Sequence, residues 1–173
     1  SSAASDVYKR QEFTLSAFSV RSGSYPYIGV GPNNNFEQSW TGNRNVAWNT
    51  VGVIYRAGNT FSSGNPTYTQ GDVISVAMNL DLATPQVWWA KNGSYIVSGN
   101  PATDTNGVNI PTSYTGYYDF IVSLYAQAGG TWDANFGQRA YAHTPPTGYE
   151  SLQKDKVTSV SYTHLRAHET HEN

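Results

Sequence analysis

The chain of 173 residues has no cysteine, a single methionine and only 13% Asp, Glu, Lys and Arg. Without thiols it can build no disulfide framework, no thiolate zinc site and no cysteine nucleophile. The formal charge of -2 leaves no basic surplus to neutralise phosphates, which argues against nucleic acid as a partner. No apolar run approaches the ~20 residues of a membrane span, and the first residues lack the apolar core of a signal peptide. The expectation is a soluble protein with no visible address, of a size suited to one domain.

Aromatics and small polar residues are abundant: 13 Tyr, 6 Phe, 5 Trp and 16 Gly. They are not spread evenly. The opening string SSAASDVYKRQ and the closing VTSVSYTHLRAHETHEN hold three of the four histidines and many of the charges. Both look like translated adapter sequence. Residues 1–11 and most of 153–173 are therefore expected to be non-native and to lie outside the fold, with one domain over residues 12–152 and 153–156 as its join. His164, His168 and His171 would share a helical face, but they do not form the His-Glu-x-x-His of a metalloprotease and sit in this tail. No metal site and no cofactor is expected.

Between those ends, short runs of Val, Ile, Tyr, Phe and Trp alternate with clusters of Gly, Asn, Pro and Ser, and no helical stripe persists. Strands are expected at residues 12–20, 27–30, 46–49, 51–56, 60–61, 72–80, 86–91, 94–97, 119–125 and 131–136. Such spacing predicts an all-β fold, an antiparallel two-sheet sandwich.

The stretch PQVWWAKNGSY supplies the sharpest local signal. Asn92-Gly93 between two apolar runs predicts a two-residue hairpin of type I′, which needs positive φ at both positions. That turn pairs Lys91 with Ser94, Ala90 with Tyr95, Trp89 with Ile96 and Trp88 with Val97. Side chains alternate along a strand, so Trp88 and Trp89 must point to opposite faces. Ile74, Val76, Met78 and Leu80 mark the apolar face of the preceding strand. Trp89 continues that buried set, and Trp88 is left with Tyr95 on the outer face or under a loop, where its truncation is expected to cost less.

GDVISVAMNLDLATPQVWWAKNGSY, residues 71–95, resembles the central signature of the SPRY domain family. The signature residues are Gly71 and Asp72 before the strand, then Trp89, Lys91, Asn92 and Gly93. YIGVG, GVIYRAG and ANFGQRAYAHTPPTGYESL, the last carrying Asn135, Phe136 and Gly137, follow in the family's order and extend the resemblance over residues 12–152. The closing stretch is particularly similar to SPRY domains of bacteriophages and bacteria. The family opens on a Gly-Lys-Trp-Tyr-like strand absent here, so the first strand is expected to be partly missing and its sheet edge short of hydrogen bonds.

The resemblance implies a concanavalin-like jelly roll and a non-enzymatic module that binds a short peptide or a protein surface through loops at one end. It implies no ligand residues, because those loops vary. From residue type alone the candidates are Tyr25, Asn33, Asn34, Asn35, Phe36, Trp40, Arg44, Tyr117 and Tyr118: aromatics give contact area with few rotors, and Arg and Asn supply orienting donors. Each also has a structural reading, as a turn former or, for one of the two adjacent tyrosines, a core residue. The partner is expected to be a protein or peptide, with a glycan as the alternative, and the chain a monomeric domain of a larger or truncated protein. Catalysis has little support. The carboxylates Glu12, Glu37, Asp72, Asp81, Asp104, Asp119, Asp133 and Glu150 are scattered, with no pair at even spacing on one strand as a glycosidase would need.

Overall fold

The computed structural model describes residues 8–19, 25–32, 44–111, 118–124 and 129–151. They form two antiparallel sheets. The first sheet runs β11 (Gly129–Asn135), β1 (Tyr8–Ser19), β6 (Val73–Asn79), β7 (Gln86–Lys91) and β8 (Ser94–Tyr95), with β9 (Val108–Asn109) also paired to β7. In the second the order is β10 (Tyr118–Leu124), β2 (Pro26–Pro32), β3 (Val46–Asn49), β4 (Ile54–Arg56) and β5 (Asn59–Ser62). No helix among the described residues is long and apolar enough to cross a membrane.

Alternation decides what fills the space between the sheets. From the first sheet Phe13, Leu15, Ile74, Val76, Met78, Val87 and Trp89 enter one buried cluster, where they meet Ile28, Val30, Val46, Trp48 and Ile54 of the second. A bulge between Leu15 and Ala17 inserts Ser16 into β1 and shifts the alternation. Phe18 thereby packs against the core although it is three residues from Leu15. Trp89 also crosses the gap by a polar contact: its Nε1–H donates to the Ile28 carbonyl at 3.1 Å.

The hairpin forms as its sequence requires, with Asn92 at φ 48° and Gly93 at φ 85°. Ala90 pairs with Tyr95 and Lys91 with Ser94, and the Ile96 N–H still donates to the Trp89 carbonyl. Beyond that point the expected register fails. Val97 and Ser98 turn to positive φ, the chain leaves the sheet, and β9, which the sequence did not signal, takes the place beside Val87.

That excursion corrects the reading of Trp88. The two tryptophans do face opposite sides, but Trp88 is only 2% exposed, against 1% for Trp89. It forms a second buried cluster with Ala77 and Tyr149, flanked by Leu82 and Tyr95. Its Nε1–H donates to the Thr105 carbonyl at 2.8 Å. Gly99 and Gly107 lie so close that a Cβ on either would come within 2.8 Å of the indole. The first sheet is therefore covered on both faces at this point.

The N-terminal boundary is corrected too. Residues 8–11, expected outside the domain, form the start of β1, which pairs with β6 from Tyr8 to Thr14 and with β11 from Glu12 to Ser19. β1 thus has strand partners on both sides over Glu12–Thr14, and Lys9 forms a parallel bridge to Glu150, so the start of the strand is not the open edge that was expected. Lys9, Arg10 and Gln11 are buried. Arg10 donates to Glu12 at 2.7 Å and to the Ser75 hydroxyl at 2.6 Å, and its guanidinium lies 4.7 Å from the centre of the Tyr141 ring. Among the described residues its Nε and Nη1, and Nε2 of Gln11, find no hydrogen-bond partner. Gln11 stands opposite Val76 and shares the parity of Phe13, and its Oε1 accepts the Tyr141 hydroxyl at 3.2 Å.

Two stability measurements check this arrangement. Trp88→Ala and Trp89→Ala should each cost about 3–5 kcal/mol in denaturant unfolding, as truncations of buried aromatics; a Trp88 loss near zero would contradict the second cluster.

Candidate functional site

The residues that carry the family signature hold the strand ends together. Asp72 Oδ2 accepts the Thr69 N–H at 2.8 Å, and Oδ1 accepts from Asn92 Nδ2 at 2.7 Å. Asn92 completes the link: its Oδ1 accepts the Val73 N–H and its own N–H donates to the Val73 carbonyl, both at 2.8 Å. Lys91 Nζ lies 3.1 Å from Asp72 Oδ2 and donates to the Thr67 carbonyl at 2.8 Å. This clamp fixes the β5–β6 loop against the β7–β8 turn. A similar economy holds the end of β11, where Asn135 accepts the Gly137 N–H at 3.0 Å and donates to the Ala140 carbonyl at 3.1 Å.

Beside the clamped loop lies a pocket of about 280 Å³, lined by Ala17, Phe18, Ser19, Gln70, Gly130 and Thr131. The geometry explains the space. Phe18 stands opposite Gly130, which has no side chain to cover it, and the bulge at Ser16, whose hydroxyl donates to the Thr131 carbonyl at 3.1 Å, spreads the two strands. Among the described residues, no lining residue is charged. The pocket offers an aromatic surface bordered by hydroxyl and amide groups, a setting for an apolar side chain flanked by hydrogen-bonding groups rather than for an ion.

Of the residues expected to bind, Asn33, Asn34, Asn35, Phe36, Trp40 and Tyr117 lie outside the described residues. Tyr25, Arg44 and Tyr118 are partly buried, and they do not converge. Tyr25 precedes β2 at the end of the sandwich that holds the pocket. Arg44 precedes β3, and Tyr118 opens β10 opposite Pro32, both at the other end. Tyr118 packs against the core and donates its hydroxyl to the Pro111 carbonyl. None of the six pocket residues was anticipated. Ala, Ser, Gln and Thr carry no binding signal by type, and the available cue was the Gly129-Gly130 pair opposite the end of β1.

Carboxylates at hand are committed to structure. Glu12 is 3% exposed and accepts from Arg10, from the Ala142 N–H at 2.7 Å and from the His143 N–H at 3.0 Å. Asp104 accepts from Asn79 at 2.9 Å. Among the described residues no three His, Asp or Glu side chains come together as metal ligands. Burial, with the nearby Tyr27 adding to it, pushes the Tyr68 hydroxyl well above its ordinary range, and burial raises Tyr95 to about 12. Neither phenol is poised for proton transfer near neutrality.

The fold matches that of solved structures. The crystal structure of the SPRY domain of human HERC1 superposes with a TM-score of 0.57 over 81% of this chain and 81% of that one, at 14% sequence identity. No family model matches the sequence, and no curated protein matches it either. The chain thus has the SPRY-type β-sandwich, established by architecture.

The clamp has a pH signature. Burial alone would raise the Asp72 carboxyl, but hydrogen bonds from Thr69, Asn92 and Lys91, with the Lys91 charge, outweigh it and hold the carboxyl below its ordinary value. A depressed folded-state value means that this stabilisation is present above the unfolded carboxylate range, near ~4, and is lost as pH falls through the lower folded value. Urea unfolding across pH should show Asp72→Asn less stable than the parent at neutrality, with the difference shrinking in acid; a constant difference would contradict the ionised clamp.

Proposed function

We propose that this protein is a non-enzymatic recognition module that binds a short peptide segment or a protein surface at the ends of its strands. The observation that carries the reading is the pocket beside Phe18, uncharged in its described lining, at the end where Asp72, Lys91 and Asn92 lock the neighbouring loop in place. A rigid frame around a small apolar recess suits an anchor side chain, since little ordering is required on binding. The SPRY-type fold accords with this use. The likeness of ANFGQRAYAHTPPTGYESL to phage-borne SPRY domains favours a virion part, such as a tail-associated protein, as the setting.

A random peptide display library and a glycan array, screened in parallel on the folded domain, test the reading. Enrichment of peptides sharing an apolar anchor is expected. Binding of glycans with no peptide enrichment would contradict it and turn the assignment to a lectin-like sandwich.

A further inference from the structure

We propose that Asn106 is a self-modification site, where the chain converts its own carboxamide to a carboxylate and thereby releases the 97–107 loop from Trp88. The site is independent of the recognition pocket. In an Asn-Gly pair the carboxamide and the next backbone nitrogen meet with least hindrance, because glycine has no side chain. The pair occurs twice, at Asn92-Gly93 and Asn106-Gly107. Packing accounts for the second. Gly107 lies so close to Trp88 that a Cβ would stand 2.6 Å from the indole, and Asn106 is held at φ 53°, a conformation Asn tolerates better than most residues. The fold thereby sets a reactive pair in a surface loop with the Asn106 side exposed.

The step needs only water. The Gly107 backbone nitrogen, giving up its proton, bonds to Cγ of Asn106; the Cγ–Nδ2 bond breaks, ammonia leaves and a cyclic imide closes. Water then opens the ring at either carbonyl, leaving aspartate or isoaspartate at position 106. Surroundings set the two pairs apart. Asn92 is held at both ends of its carboxamide, with Nδ2 donating to Asp72 Oδ1 at 2.7 Å and Oδ1 accepting the Val73 N–H at 2.8 Å, and its own N–H is bonded to the Val73 carbonyl. Among the described residues the Asn106 carboxamide makes one bond, from Nδ2 to the Ser98 carbonyl at 3.1 Å. That bond closes the neck of the loop. Val97, Ser98, Asp104 and Asn106, all within it, are four of the six non-glycine residues with positive φ among those described. A carboxylate cannot donate to the Ser98 carbonyl, so conversion removes the tie and lets strained backbone relax. The Trp88 indole N–H, whose acceptor is the adjoining Thr105 carbonyl, then loses its fixed partner.

Peptide mapping by mass spectrometry, on the full chain incubated warm at mildly alkaline pH with and without urea, reads both sites. In the folded protein conversion at Asn106 should run about tenfold faster than at Asn92, the factor expected from one further charge-assisted hydrogen bond to break; in urea the two rates should agree within about twofold. Asp72→Ala, which takes the acceptor from Asn92, should bring the Asn92 rate toward that of Asn106. The Gly99 and Thr105 amides, bonded to the Ile96 and Asn100 carbonyls, should exchange hydrogen faster in the converted protein. Asn106→Gln, whose longer side chain closes a ring slowly, should keep the slow exchange after the same incubation. Equal rates at the two sites in the folded chain, or no conversion at Asn106, would overturn the site. Exchange at Gly99 and Thr105 unaltered by conversion would overturn the release of the loop.

Discussion

One indole joins the two sheets. Trp89 rises from the middle of β7, fills the core with its ring and gives its N–H to the carbonyl of Ile28 in the opposite sheet. A buried donor left without an acceptor would cost about 1–3 kcal/mol, so the contact constrains how the sheets face each other as well as how closely they pack. Because neighbouring side chains of a strand point to opposite faces, placing Trp89 inward sends Trp88 outward. The chain answers with the 97–107 excursion and the segment around Tyr149, which bury Trp88 as fully as its neighbour. Coverage of both faces follows from the doublet itself.

The signature that marks the fold and the surface that suits a ligand are separate but connected. Asp72, Lys91 and Asn92 spend their polar groups on one another and on the backbone of residues 67–73. Engaged in this way, they fix the loop that borders the pocket. The recess is lined instead by Ala17, Phe18, Ser19, Gln70, Gly130 and Thr131, none of which belongs to the clamp. This division explains how one sandwich can serve different ligands, with recognition residing in sites carried by a common scaffold.

Much of the fold was legible. Alternation in VISVAMN predicted β6, the Asn-Gly turn predicted the β7–β8 hairpin and the inward direction of Trp89, and all ten expected strands have a counterpart among the eleven described, β9 being the one not expected. Three features were not legible, each for a physical reason. Lys9, Arg10 and Gln11 read as solvated residues, whereas pairing with β6 on one side and the bridge to Glu150 on the other bury them. The loss of register after Ile96 depends on the positive φ of Val97 and Ser98, residues with little preference for that conformation. The pocket arises from a bulge, a glycine and the end of a neighbouring strand, none of which has a signature in residue chemistry. Searching for exposed aromatics led instead to Tyr118, whose ring the core uses.

The proposed recognition surface is the pocket beside Phe18, at the end of β1. Amide hydrogen exchange of the domain, with and without a saturating enriched peptide, addresses it most directly. The account predicts slowed exchange over residues 17–19 and at Gln70, with the clamp at Asp72 and Asn92 unchanged. Protection confined to the opposite end, around Pro32, Arg44 and Tyr118, with residues 17–19 unaffected, would contradict it.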